Sequence, residues 1–436
     1  MNFKLSQTHI RLFLLILAVI ALFQQTGMAS NVGKRYPSEK YIIVDRVTGQ
    51  QITVLTSSQF NDVKPYHTHD TWTADGNWIV FYSGRGGNGN QIFVVNEMTG
   101  DIVQLTDHPG VQAANLSRKE MKLFYIRSGP QTKSRQVVEL NIGGLIADSM
   151  SDQLKNPTDY ERVVASLPAD KSGGEMALDA DETYLYWGGV NSRPEMTMAR
   201  PVDPGKDDPK GHAKFREDFR AYNEAAGRGK SEINKIDVKT GKNVRVIDVS
   251  FRMGHLQANP WKPGEIIYCK ETGGDSDQRI WSVNADGTGN RPVYVETPDE
   301  WITHETVSGR DELMFIISGN NKYLREKPTG IAVINLRTDQ MRLLGQTYEG
   351  PEGSSIGGFW HSNGSPDGRW AVGDTHAGNI ILLDRATGKQ IWLSSGHPMI
   401  PDHAHPIFSS DSKRVLIQSG VLTDGKTLNL MVINVP

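Results

Sequence analysis

The stretch "TADGNWIVFYSGRGGNGNQIFVVNEMTGDIVQLTD" (Thr73–Asp107) decides the fold. A "DG" turn leads into the apolar run "WIVFY", a glycine-rich link leads to "IFVV", and the turn "MTGD" opens a third, edge-like strand. Short apolar runs bounded by Gly, Asp and Asn read as antiparallel strands, because glycine supplies the positive φ of tight hairpins. The same order returns in Glu265–Glu296 and Ser365–Ser395, with weaker copies beginning near Met121, Thr183, Glu312 and Arg414.

These are seven units of uneven length. Repeats of roughly 40 residues, each a small antiparallel sheet, predict an all-β chain folded as a seven-bladed β-propeller. Six or eight blades are the neighbouring alternatives, because the third unit is stretched. The last unit, ending in "LNLMVINVP", is one strand short, while Tyr41–Ser58 looks like an outer strand without an inner one. The N-terminal segment is therefore expected to supply the outer strand of the last blade and close the ring, which protects an edge that would otherwise be exposed.

The stretch in the third unit is a charged insertion, Gly188–Lys230, with a helix-like centre around Phe215 to Ala226. It is expected to lie over one face, where long insertions shape binding sites.

Residues 1–29 stand apart. Lys4, His9 and Arg11 precede the apolar run "LFLLILAVIALF" (Leu12–Phe23), and Gly27 and Ala29 are small residues placed before a cut. This reads as a secretory signal peptide, the alternative being an N-terminal membrane anchor; the run is short for a span of about 20 residues. The expected mature chain, 30–436, is a single domain in the periplasm or outside the cell, with no stable membrane anchor. Losing Lys4 and Arg11 takes the formal net charge from −3 to −5. An acidic chain has no general electrostatic reason to bind nucleic acid, so any grip on an anion must come from local positive groups or a metal. The lone cysteine, Cys269 in "EIIYCKET", allows no internal disulfide and reads as a buried strand residue.

Drawing the blades places the histidines. His67 and His69 precede the inner strand of blade one, His255 that of blade four, His304 that of blade five and His361 that of blade six. His403 and His405 precede that of blade seven. Loops entering the inner strands gather on one face around the central channel, so seven of the eleven histidines after residue 29 should converge there. A single loop histidine means little; convergent imidazoles suggest metal binding or proton transfer. In "HAH" the two rings lie at i and i+2, which point the same way in an extended chain, and His304 would complete a set of three, with Glu305 and Asp402 at hand. His108, His376 and His397 fall at other turns and read as surface; His212 lies in the insertion.

From Gly254 to Glu305 the chain resembles oligogalacturonate lyases. The matching features are a "GH" opening a blade, "YC" before a loop, "RIWSVNADG" and "THE", followed later by "HSNGSPDG", "VGD" and "HAHPIFSSD". The resemblance implies a seven-bladed propeller enzyme of pectin breakdown that cleaves short uronate chains by β-elimination with a divalent metal. That metal is usually manganese, with calcium and zinc as alternatives. It implies His304, His403 and His405 as metal ligands and His255 as the catalytic base. The family's glutamine ligand falls on Ile400, which cannot ligate, and its arginine falls on Glu232, with Arg228 and Lys230 nearby to substitute.

β-Elimination removes the C5 proton beside the uronate carboxylate and expels the C4 oxygen. A cation on the carboxylate spreads the developing charge, and a neutral imidazole suits the proton transfer. Arg228 is then the expected catalytic cation, and His67, His69, His361 and Lys230 the residues that position an acidic oligosaccharide. Alternatives are a lyase for ulvan or another uronate polymer, or a non-catalytic envelope scaffold. The oligomeric state is not readable.

Overall fold

The computed structural model describes residues 30–436 except 132–133, 192–198, 200, 203–213, 215–217, 219–220, 223–229, 272–277, 298–299, 320–329 and 348–357. The leader 1–29 and most of the insertion therefore lie outside the described residues. Seven antiparallel sheets follow one another around a ring. Blade two, from the inside outward, is Gln112–Leu116, Lys122–Ser128, Arg135–Asn141 and Glu161–Leu167. A helix, Ile142–Met150, caps its outer side and buries Leu145 and Ile146 against the sheet.

The inner strands of blades three to six are Lys171–Leu178, Met253–Ala258, Glu300–Gly309 and Phe359–Gly364; blade seven begins with the short strand Ile407–Phe408. In blade three the charged insertion joins the second strand, Tyr184–Asn191, to the third, Ser231–Asp237. Residues 188–191 thus belong to the sheet, not to the insertion.

Closure involves the N-terminal segment twice. Gln51–Val54 pairs with Asn429–Asn434 of blade seven, with Ile52 opposite Ile433, and Tyr41–Val44 adds a further outer strand. Before that, Arg35–Tyr36 pairs with Ile102–Gln104 on the outside of blade one. One segment therefore spans the seam between the first and last blades. Asp45 fastens it to blade six, accepting hydrogen bonds from the Ser394 hydroxyl (2.7 Å) and the Ser395 amide (2.9 Å).

The recurrent turns have one chemical basis. In "NEMTGD" the Asn96 side chain accepts from the amides of Met98 and Thr99, and Gly100 takes φ +80°. Asp45, Asn335 and Asp384 do the same two and three residues on in their own turns. Asx side chains that satisfy the turn's own amides make this hairpin cheap to repeat.

Strands are buried on both faces. In Gln91–Asn96, Ile92 and Val94 face blade two while Phe93 and Val95 face blade seven, the period of two expected of a pleated strand. The core consists of such apolar seams between successive blades, and these hold the inner strands around the channel.

Candidate active site

The inner strands are irregular at one shared level. Register shifts fall between Gln112 and Asn115 in blade two, Ser172 and Glu175 in blade three, Gly254 and Gln257 in blade four, and Thr303 and Thr306 in blade five. Blade six shifts between Phe359 and His361. Inside the bulges of blades two to five stand residues with left-handed backbone: Ala113 (φ 56°), Gly173 (φ 119°), His255 (φ 48°) and His304 (φ 54°). His405 (φ 47°) holds the matching place ahead of the inner strand of blade seven. A bulge re-aims a side chain out of the pleat. Left-handed backbone at a non-glycine residue costs about 1–2 kcal/mol, and such strain gathers at functional sites.

Here the structure corrects the sequence reading. His255, His304 and His361 lie within the inner strands, not in loops before them. Buttressing amides follow two residues after Ala113, His255 and His361. Asn115 Nδ2 donates to the Met176 carbonyl (3.1 Å), Gln257 Nε2 to the Glu305 carbonyl (2.8 Å) and Asn363 Nδ2 to the His67 carbonyl (3.2 Å). Each ties one blade's bulge to another blade.

Five rings form a single cluster with His361 at its hub. Its ring centroid lies 4.0 Å from that of His405, 4.1 Å from His304, 5.1 Å from His67 and 5.2 Å from His403. Trp360 flanks the cluster, 4.7 Å from His304 and 5.7 Å from His403. The nitrogens are set for coordination. His304 Nδ1 donates to the Trp360 carbonyl, which leaves Nε2 as the acceptor. His361 Nδ1 faces Asp374, 3.1 Å from Oδ2, and its Nε2 is likewise left free. An imidazole whose outer N–H is held by a carboxylate or carbonyl is the usual form of a metal ligand. The Nδ1 of His403 and both nitrogens of His67 are buried with no hydrogen-bond partner among the described residues. Donor atoms of His361, Asp374 and His403 already lie within 4.8 Å of one another. The residues present therefore fit a divalent cation.

Burial dominates the titration of the cluster. It lowers the pKa of His304 to about 3 and pushes His67, His361 and His405 well below the usual imidazole range, helped by their mutual repulsion. The rings are neutral, as ligation requires. Burial likewise raises Asp374 to about 7 and lowers the enclosed Lys64 to about 7. Asp374 also accepts from the amides of His361 (2.7 Å) and His405 (3.0 Å), so it fixes two blades at once.

His255 sits beside this cluster in a different field. Its Nδ1 is 3.1 Å from Glu305 Oε1, and its ring centroid is 6.2 Å from that of His304. Burial works against a charged His255. Cys269, Tyr66 and Glu305 work the other way and win, raising its pKa well above the ordinary value. Of these only Glu305 is ionised near neutrality: burial lifts the Cys269 thiol to about 11, whereas His255 and Arg279 outweigh burial at Glu305 and hold it at about 2. Arg279, itself buried, faces Glu305 (3.5 Å) and Glu271 (3.6 Å).

The remaining residues singled out from sequence fall elsewhere. His69 is turned away, with Nε2 2.9 Å from the Met176 carbonyl and Nδ1 2.8 Å from the Thr68 hydroxyl. Lys230 is exposed at the end of the insertion, and Arg228 and His212 lie outside the described residues. Glu232 is buried and held by Lys171 (3.2 Å) and Arg245 (2.5 Å). Ile400 is exposed.

His397 is not on the surface as the turn suggests. It is buried between the hydroxyls of Ser394 (2.6 Å) and Ser419 (2.8 Å). His108 is half-buried against Arg127 and Glu161, and His376 packs on Trp360 at 4.6 Å. Sequence reasoning missed Lys64, Tyr66, Glu271, Asp374 and Gln418, whose Nε2 donates to Asp402 Oδ2 (3.1 Å) and to the His403 carbonyl (3.0 Å). Of these, Asp374 lies in "VGD", a stretch already singled out for its likeness.

No protein-family model matches the chain. An oligogalacturonide lyase of Pectobacterium atrosepticum is 23% identical over 416 residues, covering 90% of this chain and 96% of that protein. The oligogalacturonate lyase of Dickeya dadantii is 22% identical over 413 residues, with the same coverage. Among solved structures, an oligogalacturonate lyase in complex with manganese superposes with a TM-score of 0.72 at 21% identity, over 93% of this chain and 98% of its own. An oligogalacturonate lyase from Vibrio parahaemolyticus gives 0.72 at 18%, over 93% and 99%. In sequence and in fold, across nine-tenths of its length, this seven-bladed propeller is similar to the oligogalacturonate lyases.

Proposed function

We propose that the chain is a metal-dependent lyase that cleaves uronate-containing oligosaccharides by β-elimination, leaving an unsaturated uronate. One observation carries this reading: imidazoles from several blades meet at one level, with the protons of His304 and His361 already turned away from the shared centre. The curated relatives are named for action on oligogalacturonide, and a fold neighbour was solved with manganese.

His304, His361, His403 and His405 would hold the cation, with Asp374 orienting His361 and His405. A bound divalent ion supplies positive charge that stabilises carboxylate oxygens as an enolate develops. His255 receives the C5 proton on Nε2, once its own proton has left, while Glu305 keeps Nδ1–H and the ring orientation. Arg279 keeps Glu305 ionised, so that carboxylate does not compete for the proton. Trp360, packed on His376 and His403, forms an apolar wall beside the cluster.

The family's glutamine and arginine positions are Ile400 and Glu232 here. Ulvan-type fragments therefore belong in the same assay as oligogalacturonate. With added Mn2+, the purified chain should generate the ultraviolet absorbance of an unsaturated uronate, and His255→Ala and His403→Ala should abolish it. No absorbance on any uronate oligomer would overturn the reading. The leader 1–29 supports export to the periplasm or medium. N-terminal sequencing of the mature chain should begin near Ser30, and an intact leader in the purified envelope fraction would refute cleavage.

A further inference from the structure

Beside the imidazole cluster is a second group of metal donors with different chemistry. His255, Cys269 and Glu271 each offer one ligand atom, and the three atoms lie within 4.8 Å of one another. His255 Nε2 is 3.8 Å from Glu271 Oε2, and Cys269 Sγ is 3.9 Å from the same oxygen. Bond lengths of about 2.0–2.3 Å give a zinc tetrahedron edges of about 3.3–3.6 Å, so small side-chain shifts close the set. We propose that His255, Cys269 and Glu271 form a zinc site whose occupation takes Nε2 of His255 out of catalysis.

Four further points support the site. The outer nitrogen of His255 is on Glu305 at 3.1 Å, and Glu305 is in turn faced by Arg279. This carboxylate–histidine pairing leaves Nε2 as the coordinating atom. The donor set is one imidazole, one thiol and one carboxylate; sulfur selects zinc over manganese or calcium, whose preferred ligands are oxygens.

The charge also balances. With a protonated His255 and a thiol at Cys269, the charges on His255 and Arg279 offset those on Glu271 and Glu305. When Zn2+ enters, one proton leaves the Cys269 sulfur and one leaves His255 Nε2. The zinc bonds to Sγ, Nε2 and Glu271 Oε2 form, nothing is oxidised or reduced, and the enclosed group stays neutral. The side chains of His255 and Glu271 are 18% and 23% exposed, so the donors are not sealed from solvent.

Binding of the metal does not depend on the lyase reading; its inhibitory consequence does. The test uses the full chain saturated with Mn2+ and titrated with Co2+ as the optical probe. Cys269 is the only sulfhydryl in the sequence, so a near-ultraviolet thiolate-to-cobalt charge-transfer band can arise from no other residue. The band should appear, be displaced by Zn2+, vanish in Cys269→Ser and weaken in Glu271→Gln. Zn2+ should slow the lyase reaction, and each variant, compared with its own zinc-free rate, should need about tenfold more zinc for the same inhibition. Absence of the band in the folded wild-type chain overturns the site. Equal zinc inhibition in wild type and Glu271→Gln overturns its role at His255. A band without lyase activity on any uronate would instead count against the proposed reaction and leave the metal site standing.

Discussion

His255 and Glu305 form a buried pair across two blades, Nδ1 to Oε1 at 3.1 Å, with Glu305 fully enclosed. The pair exists because adjacent inner strands bulge at the same level, which turns His255 toward the strand carrying Glu305. The carboxylate, with Cys269 and Tyr66, favours the protonated form of His255 against burial. Its folded pKa is raised, so the pair's stabilisation is present below the unfolded value and lost as pH rises through the folded one. Glu305→Gln removes the charge and keeps the shape. Histidine NMR titration should show His255 losing its proton at a lower pH in that variant than in the wild type. An unchanged titration would mean that Glu305 does not set the proton.

Asp374 should govern the affinity of the histidine cluster without being its main ligand. It faces Nδ1 of His361 and accepts the His405 amide, so both rings depend on it. Asp374→Asn puts an amide opposite Nδ1 and frees the wrong tautomer. Loss of such a partner weakens metal binding by about 10–100-fold. Calorimetry with Mn2+ on wild type and variant measures this directly. Equal affinity would show that the cluster is oriented by packing alone.

The blades were legible in the sequence because their second and third strands are short, apolar and punctuated by turns such as "NEMTG" and "DRATG". The inner strands were not. "MGHLQA", "EWITHETVSG" and "FWHSNG" carry polar residues toward the channel and break their alternation at a bulge, so neither apolar content nor period two marks them. The histidines consequently read as loop residues; six of the seven do meet at one level, and His69 is turned away. Lys64, Tyr66 and Asp374 escaped notice for a related reason. Each is chemically informative only through neighbours from other blades, and no local spacing encodes that. His397 was misplaced because a "GHP" turn looks exposed, whereas blade packing buries it.

Ring closure should be acid-sensitive through Asp45. This carboxylate accepts from the amides of Val47, Thr48 and Ser395 and from the Ser394 hydroxyl, which together outweigh burial and lower its pKa to about 2. A depressed carboxylate contributes stability above its unfolded pKa of about 3.9 and loses it as pH falls toward 2, a contribution of about 2 kcal/mol. Asp45→Ala should therefore lower the melting temperature at neutral pH, and the gap from wild type should narrow below pH of about 3. A gap that does not change with pH would assign the loss to the turn geometry rather than to the charge.

His67 separates a ligand site from a packing site. It is fully buried, its ring centroid is 4.3 Å from that of Tyr66 and 5.1 Å from that of His361, and neither nitrogen has a hydrogen-bond partner among the described residues. An unpaired buried polar group costs about 1–3 kcal/mol, and a position kept polar under that cost serves something other than folding. His67→Phe retains a flat ring and removes both nitrogens. Without added metal or substrate, the variant should melt at or above the wild-type temperature. With Mn2+ and a uronate oligomer, the stabilising shift of the wild type should shrink and turnover should fall at least tenfold, or about 1.4 kcal/mol of transition-state stabilisation. If His67→Phe instead melts well below wild type and keeps its activity, the ring is structural, and the polar centre of the propeller is smaller than the histidine cluster indicates.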